Sequence, residues 1–154
     1  MTSPLCGSIE VCIFRIENDL PRFLLLRRAK EEKLYPGIWQ FVTGSIQAGE
    51  NAVDAAYREL REETGLTPAA FWVVPFVNSF YDPAADSVNL SPLFAAQVPP
   101  AALPEISAEH SEFGWFSPEE ASRKLVWPGQ RTGLQLVHDC IVRGEEAAHL
   151  TRVR

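Results

Sequence analysis

Apolar and polar positions along this chain follow two periods, one near two residues and one near 3.6 residues. A period of two is typical of strands, whereas 3.6 is typical of helices. Apolar runs of strand length predict strands at residues 9–16, 22–26, 38–42, 71–80, 88–98 and 113–116. Turn residues separate them, with Glu17-Asn18-Asp19 after the first strand and Pro36-Gly37 before the third.

Three segments have the pattern of helices. Residues 52–64 follow Asn51, a favourable N-cap, and end before Gly65, which suits the position after a helix. Ser117-Pro118-Glu119-Glu120 predicts a second start, with proline in the first turn and a capping box. A third helix at about residues 131–142 places Leu134, Val137 and Ile141 on one side. Helices and strands that interleave in this way predict an α/β domain.

Composition supports a single domain over residues 1–154 with a substantial core. Hydrophobic residues make up 46% of the 154 residues and charged residues 22%. A formal net charge of −6 argues against nonspecific binding to nucleic acid or to a membrane surface, because both favour a basic face. We therefore expect neither as a partner.

Cysteine usage and the lack of long apolar runs predict the compartment. Cys6, Cys12 and Cys140 are odd in number and have no CxxC spacing, so we expect buried free thiols. No leader pattern and no run of about 18 apolar residues occurs. These features predict a reducing compartment, the cytoplasm.

The predicted helix at residues 52–64 carries an unusual density of acid. Glu59, Glu62 and Glu63 stand at i, i+3 and i+4, so their carboxylates share one arc and repel one another. A hard divalent cation, Mg²⁺ or Mn²⁺, would offset this repulsion and would be completed by waters and substrate phosphates. The alternative is a solvated surface helix in which Arg58 and Glu62 form an i, i+4 pair.

The wider pattern around this helix favours the metal site. The fixed positions are Gly44, five residues, Glu50, seven residues, Arg58-Glu59-Leu60, one residue, Glu62-Glu63, one residue and Gly65-Leu66. At every specified position the chain resembles the signature of the Nudix hydrolases. That resemblance implies an α/β/α sandwich with a mixed central sheet, in which a loop-helix-loop holds divalent cations. It also implies hydrolysis of a nucleoside diphosphate linked to another group.

The resemblance implies a role for each residue of the signature. Glu59, Glu62 and Glu63 would be metal ligands, joined by the carbonyl of Gly44. Glu50 and Arg58 would orient the loop and the helix. Water must lose a proton as it attacks phosphorus, and Glu59 either bridges metals or accepts that proton, so Glu59 and Glu62 are also candidate catalytic residues.

An acid outside the signature is a further candidate. We prefer Glu109 over Glu112 as a catalytic residue, because a Glu-His pair five residues before a tryptophan is typical of one subgroup of the family. The alternative is that both are solvated loop acids. His110 is interpreted as a structural, hydrogen-bonded histidine, since metal-assisted hydrolysis does not need it.

The substrate class rests on a narrower resemblance. Residues 38–45, Glu109-His110, Trp127 and Arg131 are similar to the bacterial dihydroneopterin triphosphate pyrophosphatases, also described as dATP pyrophosphohydrolases. Stacking and amide hydrogen bonds suit a flat heterocycle, and a guanidinium suits phosphate. The predicted substrate contacts are Arg27, Trp39, Gln40, Tyr81, Trp127 and Arg131.

Three functions remain open at this point. The first is release of pyrophosphate and a monophosphate from a nucleoside or pterin triphosphate. The second is hydrolysis of dinucleoside polyphosphates, nucleotide sugars or oxidised nucleotides. The third is a nucleotide-sensing module without turnover, although such a module would be expected to lack some of the metal carboxylates. The expected partner is a small polyphosphate, and the family resemblance implies a homodimer.

Overall fold

The computed structural model describes residues 1–154, apart from the side chain of Glu145. Its strands are β1 (Ser3–Leu5), β2 (Ser8–Glu17), β3 (Leu20–Arg28), β4 (Trp39–Gln40), β5 (Val42–Ser45), β6 (Ala70–Asp82), β7 (Ser87–Gln97) and β8 (His110–Phe116). Its helices are α1 (Ala52–Thr64), α2 (Pro118–Lys124), α3 (Pro128–Leu136) and α4 (Glu145–Thr151). A π-helical segment, Val137–Val142, continues α3.

All eight strands belong to one mixed sheet. β2 pairs in parallel with β7 and antiparallel with β3 and β5, while β7 also pairs with β1 and β6. β2 changes partner along its length. Its residues 13–17 pair with β3, and its residues 8–11 pair with β5. The antiparallel partner of β2 therefore changes near Cys12, from β5 to β3.

Helices cover both faces of the sheet. On one face α1 packs through Ala55, Ala56 and Leu60 against apolar residues of β2, β3 and β7. On the other face α2, α3 and the π-helical segment pack through Ala121, Leu134 and Val137. Successive residues of β2 alternate between these two cores, as the pleat of a strand requires. The predicted α/β/α sandwich with a mixed central sheet is confirmed.

Most predicted elements are confirmed, and the differences have physical causes. The predicted strand at 38–42 is divided, because β4 pairs with β3 and β5 pairs with β2. The predicted strand at 113–116 begins earlier, at His110, where pairing with β3 continues to Arg28. The last predicted helix starts at Pro128 and ends in a π-helical segment. Two elements were not predicted, β1 and α4, and both are short segments stabilised by distant contacts.

The three cysteines lie in different environments. Cys12, within β2, is buried as expected and Cys140 is half-buried. The expectation of a buried thiol is wrong for Cys6, which is exposed because it lies in the short connection between β1 and β2. Burial raises the pKa of the Cys12 thiol well above its usual range, and the neighbouring Glu10 raises it further. Within the described residues, no helix is long and apolar enough to cross a membrane.

Candidate metal centre

The acid-rich helix α1 begins and ends as its sequence dictates. The Asn51 side chain accepts a hydrogen bond from the backbone N–H of Asp54 at 2.9 Å. At the other end Gly65 adopts the left-handed conformation, with φ of +68°, and its N–H donates to the Arg61 carbonyl. These caps fix where α1 begins and ends, and therefore where its acidic residues lie relative to β5.

Gly44 of β5 makes a close approach to α1 possible. A Cβ atom added at this position would lie 2.1 Å from Cδ of Glu59, well inside van der Waals contact. Any side chain here would therefore displace the Glu59 carboxylate. The predicted metal ligands Gly44 and Glu59 are thus neighbours, as the signature requires.

Arg58 joins the loop before α1 to the acids on the helix. Its guanidinium donates to Glu50 at 2.9 and 3.0 Å, to Glu59 at 2.7 Å and to Glu62 at 3.2 Å. It also donates to the Ser45 carbonyl at 2.8 Å. Glu50 additionally accepts from the backbone N–H of Gln47 at 3.0 Å. The Arg58 contact and this N–H lower the pKa of Glu50, and the carboxylates raise that of Arg58.

Glu63 has a different environment from its neighbours on α1. It is 5% exposed, whereas the Glu62 side chain is 58% exposed. Its Oε2 atom has no hydrogen-bond partner among the described residues. Burial, together with the charges of Glu109 and Glu59, raises the pKa of Glu63 to about 9. A buried carboxyl with one oxygen unpartnered is costly unless a cation or a donor reaches it.

These donors fit a hard divalent cation. Carboxylate oxygens and one carbonyl are the ligand types that Mg²⁺ and Mn²⁺ prefer. Within the described residues no three acidic, imidazole or thiol groups are already drawn together as a metal cage. Arg58 accounts for this, because it holds Glu59 and Glu62 while Glu63 lies buried to one side. The predicted ligands of the cation are Glu59, Glu62, Glu63 and the Gly44 carbonyl. These ligand roles stay predictions.

Glu109 lies in the turn directly before β8. Its side chain is exposed, and its backbone carbonyl accepts from the Ala29 N–H at 2.9 Å. Its charge is the largest of the neighbouring charges that raise the pKa of Glu63. The structure therefore brings Glu109 close to the acids of α1. By contrast, Glu112 pairs with Arg27 at 2.8 Å.

His110 and Gln40 form a buried pair beneath this site. Their Nε2 atoms are 3.2 Å apart, and the two side chains are 5% and 6% exposed. Burial, together with the charge of Arg28, lowers the pKa of His110 to about 4. The imidazole is therefore neutral in the folded protein at neutral pH. This environment matches the interpretation of His110 as a structural residue.

The neutral His110 predicts a loss of stability in acid. In the unfolded chain His110 binds a proton below its ordinary pKa of about 6.5. In the folded protein it binds this proton only below about pH 4. Stability should therefore fall as pH falls through this window, by about 2 kcal/mol between pH 7 and pH 5. Urea unfolding of His110→Gln should lack this component. His149→Gln, at an exposed position, should retain it, and an unchanged pH slope in His110→Gln would contradict the assignment.

Among the predicted substrate contacts, Arg27 and Trp39 lie together on adjacent strands. The Arg27 guanidinium lies 6.0 Å from the Trp39 ring centroid and donates to the Gly37 carbonyl at 2.9 Å. Trp39 packs edge-on against Phe116, with ring centroids 5.3 Å apart. Gln40, the next residue, points to the opposite face and contacts His110. The predicted substrate roles of Arg27, Trp39 and Gln40 stay predictions.

The other predicted substrate contacts are spread over the α3 side of the molecule and the far end of β6. Trp127 is 39% exposed, precedes α3 and packs edge-on against Tyr35 at 4.9 Å between centroids. Arg131 donates to the Leu125 and Val126 carbonyls, each at 2.9 Å. Tyr81 is exposed near the tip of the β6–β7 hairpin, where its hydroxyl donates to Asp86 at 3.0 Å. Their roles in binding substrate also stay predictions.

The sequence analysis missed a polar cluster on the face of the sheet opposite α1. It consists of Glu10 from β2, Asn78 from β6 and Gln130 from α3, and we call it the Glu10 cluster. One signal was available, because Glu10 is the one acid within the apolar run at residues 9–14. Its partners were not visible, since they lie 68 and 120 positions away along the chain.

Comparison with known proteins places the chain in a family. Residues 8–137 match the NUDIX domain. The chain is 36% identical over 135 residues to an octanoyltransferase of Myxococcus xanthus, a match that covers 83% of this chain but 35% of that protein. The chain thus spans about a third of that relative's length. It is 27% identical over 115 residues to the nucleoside triphosphatase NudI of Escherichia fergusonii, covering 70% of this chain and 81% of that protein.

Solved structures share the fold. The dihydroneopterin triphosphate pyrophosphohydrolase of Escherichia coli superposes with a TM-score of 0.69 at 24% identity. The match covers 88% of this chain and 96% of that chain. At this level of identity the likeness concerns the arrangement of strands and helices.

Proposed function

Because the chain belongs to the Nudix family, we propose that it is a metal-dependent hydrolase of a diphosphate linkage in a nucleoside or pterin triphosphate. The products would be pyrophosphate and a monophosphate. One observation carries most of the proposal. Glu63 is buried with a free oxygen beside Glu59 and Glu109, a placement that favours a bound cation over a purely structural role.

We assign the chemistry to the residues around α1. Nudix hydrolases generally use divalent metal ions, and Mg²⁺ or Mn²⁺ bound here would supply positive charge that offsets the charge of the phosphate oxygens. Glu59, Glu62, Glu63 and the Gly44 carbonyl would hold it. Glu59 or Glu109 would accept the proton that the attacking water loses. Arg58 keeps Glu50, Glu59 and Glu62 in place through its hydrogen bonds.

Net charge makes substrate and metal binding interdependent in this proposal. The chain carries a formal charge of −6, and the acids of α1 would repel a polyphosphate in the absence of a cation. Arg27, whose side chain is 42% exposed, offers a guanidinium for a phosphate oxygen once it leaves Glu112. Substrate should therefore bind weakly without metal.

The choice of a nucleoside or pterin triphosphate over other diphosphates rests on two similarities. The relative from Escherichia fergusonii is a nucleoside triphosphatase, and it aligns over most of both chains. Residues 38–45 are also similar to the dihydroneopterin triphosphate pyrophosphatases. Dinucleoside polyphosphates, nucleotide sugars and oxidised nucleotides are the alternative substrates. A sensing module without turnover is disfavoured, because every carboxylate of the signature is present.

A substrate panel tests the proposal. The protein would be incubated with nucleoside triphosphates, dihydroneopterin triphosphate, a dinucleoside tetraphosphate and a nucleotide sugar, with Mg²⁺ or with a chelator. Phosphate and pyrophosphate would be measured separately. We expect metal-dependent release of pyrophosphate from a triphosphate, and its loss in Glu62→Gln. Products from a dinucleoside polyphosphate alone would favour the alternative, and turnover of nothing in the panel would contradict the proposed function.

A further inference from the structure

The Glu10 cluster lies on the α3 side of the sheet, outside the metal centre. Glu10 is only 7% exposed, although it is an acid near the start of β2. Alternation along β2 turns its side chain away from Ile9 and Val11, which face α1. A carboxylate in such a place must be compensated, because burying an unpaired charge is costly.

The protein itself compensates Glu10 only weakly. Gln130 Nε2 donates to it at 3.2 Å, and Asn78 Nδ2 lies 3.4 Å from both carboxylate oxygens. Hydrogen bonds to a charged group are usually shorter, about 2.7–2.9 Å. No basic side chain among the described residues forms an ion pair with Glu10. Burial raises the pKa of Glu10, an effect that the two amides only partly oppose.

A second buried group in the cluster has an unused hydrogen-bonding atom. Gln130 is 2% exposed, and its Oε1 has no partner among the described residues. The residue before it, Gly129, passes so close to Asn78 that a Cβ would lie 2.0 Å from Asn78 Oδ1. The amides are thus held in place by tight packing at the start of α3. The cluster presents acceptor oxygens of Glu10 and Gln130 without enough donors.

The cluster is adjacent to the metal centre through β5. Thr43, the cross-strand partner of Glu10, is the residue directly before Gly44. Thr43 shares the face of Glu10, and Gly44 shares the face of Glu59. At Glu10, β2 pairs with β5 and not with β3, because β3 pairs only with residues 13–17 of β2. A ligand whose phosphates lie at Gly44 would need to extend past only one strand to reach Glu10.

We infer that the Glu10 cluster is the recognition site for the heterocycle of the substrate, and that it selects a ring with two adjacent N–H donors. This inference rests on the proposed function and specifies its substrate class. Guanine and pterin carry such a pair, the ring N–H beside the 2-amino group, which matches the two oxygens of a carboxylate. Adenine and cytosine place an acceptor nitrogen beside their amino group, and that lone pair would face a carboxylate oxygen. The site therefore favours a 2-amino-4-oxo ring.

The variant Glu10→Gln tests this inference because it changes the pattern and keeps the shape. An amide offers one acceptor and one donor, which complements adenine instead of guanine. Wild-type kcat/KM should be higher for GTP than for ATP, and the variant should lower this ratio about ten- to hundredfold. Equilibrium binding of GMP and AMP in the presence of Mg²⁺, measured by calorimetry, should change in the same direction. Glu17→Gln, at the opposite end of the same strand, changes an acid that pairs with Arg15 and should leave both ratios unchanged.

The outcomes separate this inference from the proposed function. If triphosphates are hydrolysed but Glu10→Gln changes GTP and ATP equally, the cluster is structural and the inference is wrong. If wild-type protein hydrolyses no triphosphate, the proposed function is wrong. The binding of GMP and AMP to wild type and Glu10→Gln then still tests whether the Glu10 cluster recognises the heterocycle. Should Glu10→Gln not fold, Gln130→Met removes the free acceptor and should weaken GMP binding more than AMP binding. Equal effects on the two monophosphates would overturn the inference.

Discussion

Glu63→Gln is expected to lower metal-dependent hydrolysis about a thousandfold, the scale seen when one charged or polar group that stabilises a transition state is removed. The substitution keeps the size of the side chain and removes the charge that a cation would need. Glu63 is buried with Oε2 free among the described residues, so neighbouring groups offer no substitute at that atom. The loss should appear in kcat, with a higher Mg²⁺ concentration required for half-maximal rate.

The same variant should be no less stable than the wild type when metal is chelated. The pKa of Glu63 is raised to about 9, so the folded protein keeps a proton that the unfolded chain releases above about pH 4.5. The wild type therefore loses stability as pH rises towards 9, and Glu63→Gln should not show this loss. Urea unfolding at pH 8 with a chelator measures the difference. Asp54→Asn, a neutralised acid on the same helix, serves as the control, and full activity in Glu63→Gln would refute the ligand role.

Arg58→Met is expected to reduce hydrolysis about a hundredfold by releasing the acids it holds. The guanidinium contacts Glu50, Glu59 and Glu62, so its loss leaves these carboxylates to repel one another. The substitution also removes the hydrogen bond from Arg58 to the Ser45 carbonyl, which joins α1 to the end of β5. Methionine retains the length of the aliphatic stem, so the effect is one of charge and hydrogen bonding.

Metal should partly restore the stability of Arg58→Met. A cation replaces the positive charge that the variant lacks, and a ligand that binds only the folded state raises its Tm. Mg²⁺ should therefore raise the Tm of Arg58→Met by more than it raises that of the wild type. Arg61→Met, which removes an exposed guanidinium from the next turn, is the matched control. An equal Mg²⁺ response in Arg58→Met and wild type would show that Arg58 does not balance these charges.

The acid-rich helix α1 was predictable because the residues that define it lie in one continuous segment of the chain. Its cap at Asn51, its end at Gly65 and the spacing of its acids all lie within one continuous segment. Spacing alone did not reveal that Glu62 is exposed and Glu63 buried, since that depends on which side of α1 meets the sheet. Local sequence therefore predicted the identity of the acids but not their individual environments.

Elements that depend on distant partners were not predictable in the same way. β1 is three residues long and exposed, and its only regular pairing is with β7, more than eighty positions away. The π-helical segment depends on how the end of α3 packs on the core, with Val137 and Ile141 buried. The Glu10 cluster combines three elements, so its sequence signal was a single acid in an apolar strand. Pairing over such separations depends on the whole sheet rather than on a local pattern.

Cys12 gives the protein an internal reporter of unfolding. It is fully buried where β2 exchanges one antiparallel partner for the other, and its raised pKa keeps the thiol protonated. Thiolates are the nucleophiles that attack alkylating reagents, so Cys12 reacts only when the centre of the sheet opens, whereas Cys6 is exposed from the start. The rate of Cys12 alkylation without denaturant therefore measures how often that centre opens, and ligands that stabilise the folded state should slow it.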